Sequence, residues 1–281
     1  MHAKLVICIV AAAIMGNLSP AQAQQAGPTF PLKKVSPAAF GDGYVDRKPL
    51  DILGLTTGMP MDKAKSIVES HYTKQGRKMK TGKDGFPFNN EDFVVYFGPD
   101  DKFDASRAED NLYVMASSPV VQSQVVFIRR YVRFPNDKPA NFDETVKNLK
   151  EKYGQPSNER DGGDMFYLNY STSNGELTPK ERDVCLGARN LIGFNAAKDR
   201  ENIDIVAAAQ HGNAEGCTIA ASAQLVYATI AGSVNKKAVA GMFVTVFDIK
   251  RTWAGVELDM KEIERLKGLA KATPGKGAPK L

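Results

Sequence analysis

Two eleven-residue stretches decide the fold: Asp62-Lys-Ala-Lys-Ser-Ile-Val-Glu-Ser-His-Tyr72 and Asp143-Glu-Thr-Val-Lys-Asn-Leu-Lys-Glu-Lys-Tyr153. Each runs from Asp to Tyr. In the first, Ala64, Ile67, Val68 and Tyr72 fall on one helical face; in the second, Phe142, Val146, Leu149 and Tyr153 do the same. Pro60 suits the first turn of a helix, where its missing N–H costs nothing. Asn141, with Glu144 three residues on, has the form of a capping box with Asn in place of Ser or Thr. Gly76 follows the first stretch, and Gly154 with Pro156 the second, as stop signals. The spacing predicts two similar amphipathic helices.

Outward from each helix lie strand-like runs. Residues 91–98, 111–116 and 124–134 follow the first. Residues 164–170, 184–194, 203–209, 218–230 and 239–249 follow the second. They alternate, carry Val, Ile, Tyr and Phe, and are separated by Gly, Asn, Asp and Pro. Short separations favour antiparallel hairpins over parallel crossovers. Met260, Ile263, Leu266 and Ala270 mark a closing helix with a charged outer face, and Trp253 is expected to anchor it. The expected class is α+β: a helix-plus-meander unit over 50–135 and a second over 136–272, forming one sheet-rich body.

The ends read differently. Lys4, the apolar run Leu5–Ile14 and Ala21-Gln22-Ala23 have the layout of a secretory signal peptide over 1–23, which predicts a periplasmic or secreted protein. No cysteine stands at that cleavage site, so no lipid anchor is expected, and no other run is long and apolar enough to span a membrane. Residues 24–49 hold Pro28, Pro31, Pro37 and Pro49 and read as a flexible leader; 273–281 read as a disordered tail. Cys8 leaves with the signal. Cys185 and Cys217 remain, and an oxidising compartment favours their pairing as a disulfide; closing a loop of about 30 residues would be worth roughly 3.5 kcal/mol.

Of 281 residues, 37 are Lys or Arg, 32 Asp or Glu, and three each His and Cys. Without 1–23 the formal charge is +4, with two His and two Cys. That charge is too weak to imply nucleic acid, and the ligand count is poor for zinc or haem. The sequence holds no phosphate loop, dinucleotide fingerprint or HExxH pattern, and neither the Asp100–Asp104 nor the Asp161–Asp164 cluster has the ligand spacing of a calcium loop, so no cofactor or metal is expected.

Gly54-Leu-Thr-Thr-Gly58-Met59-Pro60-Met61-Asp62-Lys-Ala64 resembles the Gly-x-x-x-Gly-Met-Ser-x-x-Glu-Ala/Val helix entry of the β-lactamase inhibitor protein-like superfamily, which includes the SmpA/OmlA-type envelope proteins. Leu149-Lys-Glu-Lys-Tyr153-Gly154-Gln155-Pro156 is similar to the Leu-x-x-x-Tyr-Gly-x-Pro end of the corresponding helix. Pro60 stands where the family has its capping Ser, and the lipid-attachment cysteine of the outer-membrane assembly members is missing. The resemblance implies a tandem, helix-plus-sheet periplasmic module that binds another protein through an exposed sheet face.

One strand has the composition of such a surface. Period two puts Phe127, Arg129, Tyr131 and Arg133 on one side and Ile128, Val132 and Phe134 on the other. Rigid rings and directional guanidinium groups are what binding hot spots favour, so the first four are the candidate partner-binding residues. Arg130 interrupts the core-facing set and needs a sheet edge or a buried partner. Two alternatives stand beside a protein-interaction module. One is an envelope hydrolase using His71 or His211 with a nearby carboxylate, although no Gly-x-Ser-x-Gly elbow occurs. The other is a small-ligand binder with an apolar cavity between sheet and helices.

Overall fold

The computed structural model describes residues 29–36, 50–89, 91–100, 109–173, 176–177, 205–214 and 216–273. In chain order these form α1 (Met61–Lys74), β1 (Met79–Gly85), β2 (Asp92–Pro99), β3 (Glu109–Ala116), a 3-10 turn (Pro119–Val121), β4 (Val125–Arg133), β5 (Ala140–Asn141), α2 (Phe142–Tyr153), β6 (Asn158–Asp161), β7 (Met165–Ser173), β8 (Glu176–Leu177), α3 (Ile205–Ala214), β9 (Ile219–Ile230), β10 (Ser233–Asp248) and α4 (Ile249–Ala272). The chain is α+β. All strands lie in one antiparallel sheet of order β1-β2-β3-β4-β10-β9-β7-β6, with β5 attached to β10 and β8 to β7. The first meander, β1 to β4, joins the rest where β4 pairs with β10, from Phe127↔Phe247 to Arg133↔Gly241.

Both expected helices form, by different means. Pro60 offers α1 no side-chain cap. The backbone compensates: Gly58 N–H donates to Val125 O at 2.7 Å, Val125 N–H to Met59 O at 2.8 Å, and Met61 N–H to Ser123 O at 3.0 Å. The helix entry is thus stitched to the start of β4. Gly58 has φ +80, a conformation that favours glycine, and a Cβ there would press on the Arg251 guanidinium at 3.0 Å. At α2, the Asn141 side chain accepts from Glu144 N–H at 3.0 Å, as its capping pattern predicts. Gly154 ends that helix at φ +89.

α1 and α2 lie on the same face of the sheet. Met61, Ala64, Val68 and Tyr72 of α1, with Leu149 and Tyr153 of α2, pack on Leu112, Val114, Ile128, Leu168, Leu225, Val244 and Val246. The two helix-end tyrosines do different work. The buried Tyr72 hydroxyl donates to Leu112 O and accepts from Leu112 N–H, both at 2.8 Å. It thereby serves backbone groups of β3 beyond its two-pair register with β2. Tyr153 Oη donates once, to Asp51 O at 3.0 Å.

A second core gathers Phe127, Phe247, Ala220, Ile205, Ala208, Ala209, Cys217 and Ile249, with Trp253 packed against it as expected for the anchor of the last helix. Residues 203–209, read as a strand, belong instead to α3 from Ile205 onward. Their apolar run is the buried side of a short Ala-rich helix, and periodicity alone does not separate that from a buried strand. His211, a candidate for hydrolase chemistry, sits in the last turn of the same helix. The leader is also corrected. Residues 29–36 are extended and packed, with Phe30, Leu32 and Val35 against Phe86, Val120 and Leu266. Three apolar side chains and six hydrogen bonds to its main chain hold this segment, where the prolines at 28, 31, 37 and 49 suggested a flexible leader over 24–49.

The expected signal peptide, residues 184–194 and the tail beyond 273 lie outside the described residues. The expected pairing of Cys185 with Cys217 rests on Cys185, which lies outside them too; Cys217 is buried in the second core. No helix among the described residues is long and apolar enough to cross a membrane.

Candidate functional site

Strand register sorts the four residues expected to bind a partner. Phe127, Arg129, Tyr131 and Arg133 do share one side of β4, opposite to Ile128 in the α1/α2 core. Their cross-strand neighbours are Phe247, Thr245 and Phe243 on β10 and Met115, Tyr113, Asn111 and Glu109 on β3. Burial then divides them. Phe127 is fully buried, edge-on to Phe247 at 6.2 Å beneath α3 and α4. Its place among the contact residues is therefore corrected: closing the second core claims that end of the strand. The Arg129 guanidinium lies 5.2 Å from the Phe127 ring centroid, and its Nε donates to Thr245 Oγ1 at 3.3 Å. Burial pulls its pKa down to about 10. Tyr131 and Arg133 are half-buried, and Tyr131 stacks on Phe243 with centroids 4.4 Å apart.

The opposite face holds a cleft. Between the loop at Ile52–Leu53 and α2, above β4 and β10, lies a cavity of about 440 Å³. Leu149, Met242, Val244 and Phe134 supply apolar walls, and Arg130, Asn148, Lys152 and Glu144 the polar ones. The volume falls in the range of small-molecule sites. Leu53 at this cleft is exposed and holds a left-handed φ of +56. That conformation is costly for a residue with a Cβ, and such strain gathers at functional sites.

Arg130 finds the partner its position demands. Its Nε and Nη2 donate to Asp110 Oδ1 and Oδ2 at 2.8 and 2.7 Å, a bidentate pair that raises the guanidinium pKa chiefly through those hydrogen bonds. Nη1 makes no hydrogen bond among the described residues, and Arg130 lines the cleft. Lys152 sits 3.2 Å from Asp51 at the rim. Burial pushes the Tyr153 phenol well above its ordinary pKa, with Asp51 adding to the effect. Tyr153 therefore offers its proton as a donor and is not a base.

The histidines part company. His71 Nε2 lies 3.0 Å from Asp110 O, 2.8 Å from Gln75 Nε2 and 3.7 Å from Asp110 Oδ1. It has the carboxylate that a hydrolase would need, but it faces Asp110 from α1 and is not among the cleft's lining residues. His211 lies on α3, on a different element and in the second core's layer. Among the described residues no group of three His, Cys, Asp or Glu is placed to hold a metal ion.

Sequence reading flagged Arg130 through its broken alternation but missed Met242, Val244, Leu53, Asn148 and Lys152 as one site. No local signal carries it, because the cleft exists only where α2 crosses strands distant in sequence. Compared with protein-family models, with curated proteins and with solved structures, the chain matches none.

Proposed function

We propose that this chain is a non-catalytic binding protein of the periplasm or of the secreted fraction, and that a small amphiphile occupies the cleft between the 52–53 loop and α2. The carrying observation is the juxtaposition of an apolar floor with Arg130, whose Nη1 makes no hydrogen bond among the described residues. Met242, Val244, Phe134 and Leu149 suit an alkyl or aryl body. Arg130 and Lys152 suit an acceptor-bearing, anionic end, with Asn148 as a further polar contact. Calorimetric titration of the mature protein with decanoate, decanol and decylamine tests this. Decanoate is expected to bind one to one and tightest, and Met242→Trp, which fills the cleft, to abolish the heat. Failure of all three to bind, or binding that survives Met242→Trp, overturns the reading.

A second reading keeps a protein partner on the other face of the sheet. The observation favouring it is the half-buried row of Tyr131 stacked on Phe243, with Arg133 beside them and Arg160 over the Tyr167 ring at 4.6 Å. Here Tyr131 and Arg133 act as anchors, while Phe127 and Arg129 support them from within. Pull-down from periplasmic extract with Tyr131→Ala and Arg133→Ala is expected to lose a protein that the unaltered chain captures. Identical capture by both would remove this surface from consideration.

A further inference from the structure

We propose that the groove holding residues 29–36 is a docking site for extended peptide segments, filled in this chain by its own leader, and that its outside ligand is a basic extended segment of another protein with the same spacing of apolar residues. The inference goes beyond the cleft and rests on none of its residues.

The occupant displays the site's recognition rules. The turn at 86–89, the 3-10 turn with Gln122, and the second half of α4 each contribute bonds to the leader's main chain. Phe30 N–H donates to Phe88 O at 3.1 Å, and Val35 N–H to Val120 O at 2.7 Å. Asn89 Nδ2 donates to Phe30 O at 3.1 Å, Arg265 Nη2 to Pro31 O at 2.9 Å, and Gln122 Nε2 to Val35 O at 3.2 Å. Glu262 Oε1 accepts from Lys33 N–H at 2.6 Å. Four of the six bonds use a groove side chain to reach leader backbone. This is how extended peptides are commonly held: main-chain bonds supply affinity, and pockets for spaced side chains supply specificity.

The side-chain pattern is equally plain. Phe30, Leu32 and Val35 face inward onto Phe86, Val120 and Leu266, while Pro31, Lys33 and Lys34 stay exposed. Glu262 is buried, and two hydrogen bonds from Arg265 hold its carboxyl below the usual range, with Lys33 adding to that effect. The Lys33 N–H reaches Glu262 beside Arg265 while the Lys33 and Lys34 side chains stay exposed, so the groove accepts basic residues between the apolar anchors. Proline after the first anchor lacks an N–H, and no donor is needed there.

Residues 37–49 join this segment to the body. Because the segment and its groove belong to one chain, tethering gives the leader an effective concentration in the millimolar range. The leader therefore competes strongly against any outside peptide while the chain is intact. Cutting the linker removes the advantage without altering the groove.

The test inserts a specific protease site between Ser36 and Pro37 of the otherwise unaltered chain and follows fluorescence anisotropy of a labelled peptide, TFPLKKVS. The uncut chain is expected to bind at least tenfold more weakly than the cut chain freed of its leader by gel filtration. In the cut chain, Glu262→Gln with Arg265→Ala is expected to weaken binding at least tenfold, and a peptide with Ser at its three apolar positions not to bind. Three outcomes overturn the proposal: loss of the folded circular dichroism spectrum on cutting, a folded cut chain that takes no peptide, and equal binding by cut and uncut chains.

Discussion

Away from the apolar end at Phe127 and Phe247, the two faces of the sheet bury opposite kinds of residue. Beneath α1 and α2 the strands present Leu112, Val114, Ile128, Leu168, Leu225, Val244 and Val246, an apolar layer. One residue out of step, the same strands present Asn111, Arg129, Asn169, Ser222, Gln224 and Thr245 to the other side. Of these, Asn111, Asn169, Ser222, Gln224 and Thr245 are buried as well. Alternation thus tells a polar face from an apolar one but not a buried face from an exposed one. A buried polar layer must be held by directed bonds. Arg77 Nη2 donates to Asn111 Oδ1 at 2.7 Å and Asn111 Nδ2 to Glu109 at 3.0 Å. Stability on one side should respond to volume, and on the other to protonation and hydrogen bonding.

The largest expected effect follows from Asp259, on α4 behind the polar side. Its carboxylate accepts a hydrogen bond from Ser118, and the residue is buried. Burial raises its pKa to about 7, the Ser118 bond opposes the rise, and Glu262 one turn on adds to it. Below pH about 4 both folded and unfolded chains hold the proton, and the fold loses nothing. Between about 4 and about 7 the unfolded chain releases it while the folded chain retains it, so stability falls as pH rises; above about 7 it levels. Three units correspond to a fall of up to about 4 kcal/mol. Urea midpoints from pH 4.5 to 8 are expected to drop for the unaltered chain and to flatten for Asp259→Asn. Parallel curves would place the pH dependence elsewhere.

On the apolar side the corresponding ionic group is Arg130 with Asp110, and the direction reverses: the pair is satisfied, so breaking it is what costs. Asp110→Ala leaves a guanidinium about a quarter exposed without its carboxylate, and is expected to lower stability by about 3 kcal/mol. Asp110→Asn, which keeps one acceptor, should cost less. A urea midpoint for Asp110→Ala within error of the unaltered chain would mean the cleft solvates Arg130 as well as the carboxylate does.

Much of the fold was legible and little of the site. The 3.6-residue spacing in 62–72 and 143–153 names the two helices, and Asn141 with Glu144 names a cap, because these signals are local. Strand alternation located β2, β3, β4, β7, β9 and β10. It missed β1, whose Met-Lys-Thr-Gly-Lys-Asp-Gly is held by pairing with β2 and not by apolar content. It mistook α3, whose alanines suit either element. Phe127 was misplaced for a related reason. Period two gives its side of the sheet, but whether α3 and α4 cover that side depends on contacts far apart in sequence. Arg130 was the one part of the cleft that announced itself, since a cation in an apolar phase needs a cause.

The two helix-end tyrosines carry the comparison down to single hydrogen bonds. Tyr72 and Tyr153 close matching eleven-residue stretches and pack against the same apolar layer, yet Tyr72 serves both the N–H and the C=O of Leu112, whereas Tyr153 serves one loop carbonyl. A phenylalanine keeps ring and packing and removes only the hydroxyl. In Tyr72→Phe two buried main-chain groups lose their partner, an expected cost of about 2 kcal/mol; in Tyr153→Phe one partly accessible carbonyl does, for about 1 kcal/mol. Amide hydrogen exchange sharpens the contrast: the Leu112 amide should lose protection in Tyr72→Phe beyond the global change, while Tyr153→Phe leaves β3 as it was. If both variants cost the same and Leu112 stays protected, Tyr72 acts through its ring alone, and the β3 backbone beyond its short register with β2 is held by something other than that hydroxyl.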